Sequence, residues 1–242
     1  MIKLINKEEL PDVFRVADLV RLSRGRATAR SVNYMVSRLL EEKKLVRIKN
    51  GMYSKTGDVF YIAYRLYNGY IGFSSALYLY GLKNEIEAAV YVCVPKHAKA
   101  AMILGKTIEP VNMADNDYGA SLIELNGHQI LVSTYAKTIF DMLSKPRYAN
   151  YFDMYRAVRI RPLATGEWKE LLYYAKSSSI SDIRRIGYAT DGIAPGWFLD
   201  ELERLSRKGY RTSFFFKHES RNYNSRWSIF DSLGMRRWMN GV

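Results

Sequence analysis

The sequence predicts a mixed α/β (α+β) protein that begins with a winged helix-turn-helix, and three observations favour this fold. Residues 13–55 follow the order helix, tight turn, helix and two-stranded hairpin. Residues 58–145 alternate helix-like with strand-like segments, and residues 146–242 are mainly helical and basic. We therefore expect a winged helix-turn-helix domain over 1–57, a small mixed α/β domain over 58–145, and a C-terminal region over 146–242 that packs with it.

Charge is distributed in three zones that match these parts. The 242 residues carry a net charge of +13, which divides into +7 for residues 1–57, −1 for 58–145 and +7 for 146–242. Such a balance favours a polyanionic partner.

The first predicted helix leads into a glycine turn. Its apolar residues recur at helical spacing and are Val13, Val16, Ala17 and Val20. Gly25 then favours a tight turn. Thr28 is expected to cap the second helix, which runs to about Lys43.

The second helix has two chemically different faces. One face is apolar and consists of Val32, Met35, Val36, Leu39 and Leu40. The opposite face is polar and consists of Arg30, Tyr34, Ser37, Arg38 and Glu41, with Ser31 and Asn33 on its flanks. Arginine bonds guanine bidentately, asparagine does the same with adenine, and hydroxyls bond phosphates or base edges. The polar face is therefore suited to double-stranded DNA.

A hairpin follows this helix in the sequence LVRIKNGMYSK. The pair Asn50-Gly51 predicts a two-residue type I′ turn. Lys49, Asn50 and Lys55 lie at or near this wing, where contacts with phosphate or the minor groove are expected.

The predicted DNA-binding set follows from these three pieces. It comprises Arg24, Arg26, Thr28, Arg30, Ser31, Asn33, Tyr34, Ser37, Arg38, Lys49, Asn50 and Lys55. Two other interpretations stay open, namely a solvated helix face and a winged helix that docks only to protein.

The middle region predicts two helices, a sheet and a third helix. VFYIAYRLYNGY and SSALYLYGL are helix-like, and in the second Ser74 or Ser75 is the expected cap and Gly81 the end. AAVYVCV and KTIEPVN are strand-like, and ASLIELNGHQILVS predicts a hairpin around Asn126-Gly127. Thr134 is expected to cap the next helix.

The C-terminal region predicts further helices and short strands. Three helix-like segments are YFDMYRAVRIR, WKELLYYAK and FLDELERLSRKG, and we expect the last helix to end at Gly209. A fourth helix is expected to begin after Ser181, which would cap it. YRTSFFFK and SRWSIF are strand-like. The positions expected to contact nucleic acid or an acidic partner are Arg184, Arg185, Arg236 and Arg237.

Motifs of common enzymes and cofactor sites are absent from the sequence. The histidines are isolated, and metal-binding spacings, phosphate loops and nucleophile elbows do not occur, so we predict no cofactor, no metal and no enzymatic role. Glu85 and Glu87 follow a Gly/Ser turn and a helix, which leaves a nucleotidyltransferase as a third alternative. Cys93 is the single cysteine, so no internal disulfide can form. The sequence shows no pattern typical of a signal peptide or a membrane helix, and we therefore expect a cytoplasmic protein.

Four segments together resemble the AbiEi family, the antitoxins of type IV toxin–antitoxin systems that are linked to abortive phage infection. The segments are LLEEKKLVRIKNGMYSK, SSALYLYGL, VSTYAKTIFDML and SISDIRRIGYATDGI, and SRWSIF follows the last one. They are spread over nearly the whole chain and occur in the same order as in the family.

The resemblance implies two activities. A winged helix-turn-helix would repress the system's own promoter through inverted repeats, and the C-terminal part would oppose an AbiEii-like nucleotidyltransferase toxin encoded alongside. Family DNA contacts transfer only to residues 26–38 and 47–55. The rival interpretation is a plain winged-helix transcription factor whose C-terminal domain senses a ligand or dimerises.

Overall fold

The computed structural model describes residues 10–85, 88–113, 119–206, 212–213 and 222–231. It divides the chain into two compact units built from interleaved segments. The first unit contains the described parts of Met1–Ile71, Ile86–Asn116 and Leu122–Leu131. The second unit contains the described parts of Gly72–Glu85, Asp117–Ser121 and Val132–Val242.

Helices and strands alternate along the described chain. The helices are α1 Val16–Leu22, α2 Ala29–Glu41, α3 Val59–Tyr67, α4 Phe73–Leu79, α5 Tyr135–Ser144, α6 Tyr151–Arg159, α7 Thr165–Lys176, α8 Ile180–Thr190 and α9 Gly196–Ser206, with a short 3-10 helix at Pro146–Tyr148. The strands are β1 Val13–Arg15, β2 Val46–Lys49, β3 Met52–Ser54, β4 Tyr70–Ile71, β5 Ala89–Val94, β6 Ala101–Ile103, β7 Lys106–Asn112, β8 Ala120–Leu125, β9 His128–Ser133, β10 Thr212–Ser213, β11 Tyr223–Asn224 and β12 Ile229–Phe230.

A small antiparallel sheet lies at the N-terminal end of the described chain, in the order β1-β3-β2. Val13 pairs with Ser54 in this sheet. The prediction that Val13 belongs to the first helix is therefore wrong, because pairing with a strand about forty residues away overrides a local helical pattern.

Helix α1 buries a different face from the one predicted. Leu19 is fully buried, Val16 and Val20 pack at the edge of the core, and Ala17 is exposed. Burying Leu19 removes more apolar surface from water than burying Ala17 would. The helix therefore turns the face that carries Leu19 toward the core.

Helix α2 confirms its predicted apolar face. Val32 and Val36 are buried, and Met35, Leu39 and Leu40 pack against the same core, which also holds Phe14, Leu19, Leu45 and Tyr53. The helix ends at Glu41, close to the predicted position. Opposite this packed side, the other face of α2 is free to meet solvent or a ligand.

The β2–β3 hairpin differs from its predicted turn type. Gly51 takes a φ of 71°, whereas Asn50 does not adopt a positive φ. The strand register also shifts by one residue between Arg47 and Lys49. A type I′ turn needs a positive φ at both central residues, so the predicted turn type is wrong while the hairpin itself is confirmed.

The central sheet is mixed and has six strands in the order β6-β7-β5-β4-β9-β8. Strands β5 and β7 are parallel, and β4 and β6 run antiparallel to their partners β5 and β7. Pro110 in β7 lies beyond the residues that pair with β6, where its missing N–H removes no ladder bond. The Asn126-Gly127 turn is confirmed, since both residues take positive φ angles of 50° and 78°. Strands β4 and β6 were not predicted. The predicted helix VFYIAYRLYNGY is too long, because α3 ends at Tyr67, Asn68 takes a positive φ of 49°, and Tyr70 pairs in β4.

Helices dominate the second unit, and some of their caps differ from prediction. Thr134 caps α5 as predicted, accepting from the Lys137 amide at 3.2 Å. Gly72, rather than Ser74 or Ser75, is the N-cap residue of α4. Ser179, rather than Ser181, caps α8, because Asp182 completes a capping box with it.

Some predictions lie outside the described residues. They concern Glu87, Gly209, Arg236, Arg237 and most of the strand-like segment YRTSFFFK. None of the helices within the described ranges is long and apolar enough to cross a membrane. The overall architecture is a mixed α/β fold with an N-terminal sheet and helices, a central mixed sheet and C-terminal helices.

Candidate nucleic-acid interface

The outer face of α2 is polar, cationic and exposed. Arg30, Asn33, Ser37 and Arg38 are exposed, and the side chain of Tyr34 is 75% exposed. Within the described part of the chain, Arg30 forms no ion pair. A large aromatic ring held in water beside guanidinium and amide groups gives this face the composition of a binding surface.

Thr28 and Ser31 are engaged with each other at the start of α2. The Ser31 amide donates to Thr28 Oγ1 at 3.2 Å, and the Thr28 amide donates to Ser31 Oγ at 2.9 Å. The Ser31 hydroxyl also donates to the Thr28 carbonyl at 2.9 Å. Both side chains are therefore occupied in a capping box that fixes where the helix begins. Their predicted DNA contacts stay predictions, and the structure gives them a positioning role first.

The turn before α2 presents two further cations. Arg24 and Gly25 take positive φ angles of 48° and 82°, and the Arg26 amide donates to the Ser23 carbonyl at 3.0 Å. Positive φ at both central positions is typical of a tight primed turn. Arg24 and Arg26 are exposed on either side of Gly25, next to the positively polarised end of α2.

The hairpin contributes Lys49 and Asn50, which are exposed at its tip. Arg47 is exposed one pair further back, with its guanidinium carbon 5.8 Å from the centroid of the Tyr53 ring. The predicted set omits Arg47. The alternation of exposed Arg47 and Lys49 around buried Ile48 is a strand signal that could have identified it.

Lys55 and Arg38 are held by nearby carboxylates. Lys55 follows β3 at the end away from the hairpin tip, and its Nζ lies 3.7 Å from Asp12 Oδ1. Arg38 Nε donates to Glu42 Oε1 at 2.9 Å, while Lys44 Nζ lies 2.5 Å from Glu42 Oε2. Hydrogen bonds from Lys44 and Arg38 lower the pKa of Glu42. These pairs reduce the charge that Lys55 and Arg38 offer to DNA, compared with Arg26 or Arg30.

A polar chain ties the N-terminal sheet to the rest of the first unit. Tyr61 Oη donates to Asp12 Oδ2 at 2.5 Å, and the Tyr61 ring stacks on His128 with centroids 4.2 Å apart. Burial and the nearby Asp12 carboxylate raise the pKa of Tyr61 to about 12. Asn126 donates to Asp58 Oδ2 at 2.7 Å. These contacts hold the N-terminal sheet against α3 and the β8–β9 turn.

Two arginines of α8 lie in positions that do not suit a surface role. Arg184 is 3% exposed and donates to the Ser206 carbonyl at 3.2 Å, so the predicted partner contact does not fit its place in the interior. Arg185 is mostly buried and paired with Asp182 at 3.0 Å, and burial lowers its pKa. The Arg185 side chain keeps some exposure, and its contact with a partner stays a prediction.

The C-terminal segment with the family resemblance is a packing unit. Tyr188 Oη donates to Asp231 Oδ2 at 2.8 Å, and Trp227 Nε1 donates to Asp191 Oδ2 at 3.2 Å. Gly187 lies so close to the ring of Trp227 that a Cβ atom there would meet it at 2.2 Å. The glycine and tyrosine of SISDIRRIGYATDGI therefore hold α8 against SRWSIF.

The residues considered for nucleotide transfer are described only in part, since Glu87 lies outside the described residues. Glu85 lies in the loop before β5 rather than on a strand, and Ser74 and Ser75 are buried in the first turn of α4. Among the residues that the structure describes, His, Cys, Asp and Glu side chains form no group of three or more that could hold a metal ion.

Comparison with solved structures shows the same fold in another protein. The chain is similar to the crystal structure of the RV2827C protein from Mycobacterium tuberculosis, with a TM-score of 0.65 over 97% of this chain and 92% of that one. The two sequences are 13% identical, so the similarity concerns the fold alone. No protein-family model and no curated protein matches the sequence.

Proposed function

We propose that the protein binds double-stranded DNA through an N-terminal winged helix-turn-helix and represses transcription. The observation that carries this proposal is the outer face of α2, where Arg30, Asn33, Tyr34 and Ser37 are exposed opposite a fully packed face. The order of β1, α1, turn, α2 and hairpin supports the proposal, because a winged helix-turn-helix presents its recognition helix and its hairpin in that order.

In this proposal α2 enters the major groove. Arg30, Asn33 and Ser37 lie on the side that faces the bases, while Arg24 and Arg26 contact phosphates at the start of the helix. Lys49, Asn50 and Arg47 contact the backbone or minor groove from the hairpin. Thr28 and Ser31 fix the register of α2 through their capping box.

The experiment is a titration of a labelled duplex carrying the sequence upstream of the protein's own gene, with a shuffled duplex as competitor. Arg26→Ala/Arg30→Ala should weaken specific binding, because the Arg30 base contact is expected to contribute about 1–3 kcal/mol and the Arg26 phosphate contact adds a loss that does not depend on sequence. The matched control is Lys96→Ala/Lys169→Ala, which removes the same charge from exposed positions elsewhere. Equal affinity of the two double variants would contradict the proposal.

We further propose that the protein is the antitoxin of a type IV toxin–antitoxin pair and carries out no catalysis. The support for this part is the resemblance of four segments to AbiEi proteins. Co-expression with a nucleotidyltransferase-like toxin from the adjacent gene should restore growth. A neighbour that is not toxic alone would favour a plain transcription factor, and metal-dependent nucleotide transfer by the purified protein would favour an enzyme.

Repression and neutralisation should be separable in the full-length chain. Arg26→Ala/Arg30→Ala is expected to release the promoter while still restoring growth against the toxin, because neither residue belongs to the second unit. A promoter fusion and a growth curve in the same cells measure both. Loss of growth rescue in this folded variant would show that neutralisation needs the DNA-binding face.

A further inference from the structure

Helix α6 in the second unit presents an exposed strip that no part of the proposed DNA-binding site uses. Phe152 and Ile160 are each 57% exposed, and Arg156 between them is exposed as well, with Nη1 donating to the Leu82 carbonyl at 3.1 Å and its other nitrogens left to meet a ligand. The backbone of Ile160 continues the helix with φ −79° and ψ −39°. Residues four apart share one helix face and are separated by about 6 Å along the axis, so the three side chains form a continuous line.

The opposite face of α6 explains why this strip points outward. Met154, Ala157 and Val158 are buried and fix the helix on the unit. Two apolar side chains that are each more than half exposed and lie in line with an arginine give this face of α6 an apolar and cationic composition, which suits a ligand with flat rings and negative charge.

The surroundings of the strip are cationic. Residues 145–161 contain five Lys or Arg residues and one acidic residue, Asp153, although Arg161 is ion-paired with Glu167 at 2.8 Å and Arg159 donates to the Asp191 carbonyl at 2.9 Å. Asp153 is buried and is bonded by Lys83 Nζ at 2.8 Å and Asn150 Nδ2 at 2.7 Å. Its charge is thus neutralised inside the unit, while Lys145 and Arg147 are exposed next to the start of α6.

Arg147 is held against an aromatic ring. Its guanidinium carbon lies 4.5 Å from the centroid of the Tyr148 ring, and that ring meets Phe73 edge-on at 6.0 Å. A guanidinium plane fixed in this way and an exposed phenyl ring are both platforms on which unpaired bases stack.

We propose that this α6 surface, formed by Lys145, Arg147, Phe152, Arg156 and Ile160, binds single-stranded nucleic acid. The cations would contact phosphates, and Phe152 and Arg147 would stack on bases. In a duplex the base faces are already stacked on each other, so an exposed phenyl ring gains contact only with an unpaired strand. This site is distinct from the α2 face and does not depend on it.

The test uses the full chain with Arg26→Ala/Arg30→Ala, which weakens the α2 face and leaves α6 intact. Fluorescence anisotropy measures binding of labelled oligothymidylate, oligouridylate and a thymidylate–adenylate duplex, each about 20 nucleotides long. Both single strands should bind more tightly than the duplex, and the ratio of the two single strands distinguishes RNA from DNA as the ligand.

Substitutions at Phe152 separate stacking from charge. Phe152→Ala should weaken single-strand binding at least about fivefold and leave duplex binding unchanged, because the ring carries no charge. Phe152→Leu should lose as much, and Phe152→Trp should retain the affinity. The matched control is Tyr173→Ala, an aromatic side chain on α7 that is 54% exposed and should not matter.

Three results would overturn the proposal. They are equal affinity for single strand and duplex, equal losses in Phe152→Ala and Tyr173→Ala, and full affinity in Phe152→Leu. The last result would show that a general apolar contact, and not stacking on bases, holds the strand at Phe152. Thermal unfolding checks that each variant is folded, and the comparison of Phe152→Leu with Phe152→Trp stands even if Phe152→Ala is destabilised.

Discussion

At the scale of single residues, the side chains that the sequence marks as chemically active divide into exposed and structural groups. Arg26 and Arg30 are exposed and unpaired among the described residues, whereas Arg184 bonds a carbonyl in the interior. All three residues are arginines, and only the burial of Arg184 distinguishes it from the other two. The sequence could place both kinds of arginine on or beside helices, but it could not show that the Ser206 carbonyl lies within reach of Arg184, because their contact depends on how α8 and α9 pack.

Gly187 provides a direct test of the packing in the C-terminal segment. Gly187→Ala would bring its Cβ within 2.2–2.5 Å of three ring atoms of Trp227. A rigid indole cannot move aside cheaply, so we expect a loss of about 1–3 kcal/mol in the free energy of unfolding, measured by urea titration. Gly166→Ala is the matched control, because nothing lies within 4 Å of the added atom, and we expect it to be neutral or slightly stabilising.

The hydrogen bonds of Glu201 predict that the stability of the folded protein decreases at acidic pH. Hydrogen bonds from Arg204 and Lys176 lower its pKa to about 2, from an ordinary value of 4.5. Because the folded-state pKa is the lower one, this contribution is complete above pH 4.5 and is lost as the pH falls toward 2. Glu201→Gln should flatten the decline of stability over that interval in thermal unfolding, while Glu124→Gln, at another exposed position, should leave it unchanged. Parallel curves for wild type and Glu201→Gln would refute the assignment.

At the scale of elements, local signals predicted most helices and the strands with strong alternation. Thr28 and Thr134 cap the helices that they were expected to cap. The failures have a common physical cause, which is that a partner elsewhere outweighs a local pattern. Val13 joins a strand because β3 is available to pair with it, and Ser179 displaces Ser181 as a cap because Asp182 lies three residues after it.

At the scale of elements, we predict that the β2–β3 hairpin requires glycine at position 51. Gly51 takes a φ of 71°, which costs an L-residue about 1 kcal/mol, so Gly51→Ala should destabilise the hairpin and weaken binding to the duplex. Gly57→Ala is the control, since its backbone takes no positive φ and nothing lies within 4 Å of the new atom. Equal stability of the two variants in thermal unfolding would show that the hairpin relaxes around the added methyl group without cost.

At the scale of the whole molecule, net charge predicted a polyanionic partner but could not locate it. The boundaries at residues 57 and 145 stay predictions, while the contacts of Asp12 with Tyr61 and of β2 with β6 show that the N-terminal sheet packs onto later segments of the first unit. Point variants in the full chain are therefore sharper tests of function than a truncation at residue 57.

The salt dependence of duplex binding tests the central claim most directly. The logarithm of the affinity falls linearly with the logarithm of the salt concentration, and each phosphate contact that is removed makes this negative slope shallower by about 0.9. We predict that Arg26→Ala/Arg30→Ala reduces the magnitude of this slope by about 1 on the upstream duplex, through the lost Arg26 phosphate contact, and reduces the preference over a shuffled duplex, through the lost Arg30 base contact. Lys96→Ala/Lys169→Ala should leave both slope and preference unchanged. An unaltered slope and preference in the folded Arg26→Ala/Arg30→Ala variant would contradict the assignment of DNA binding to α2.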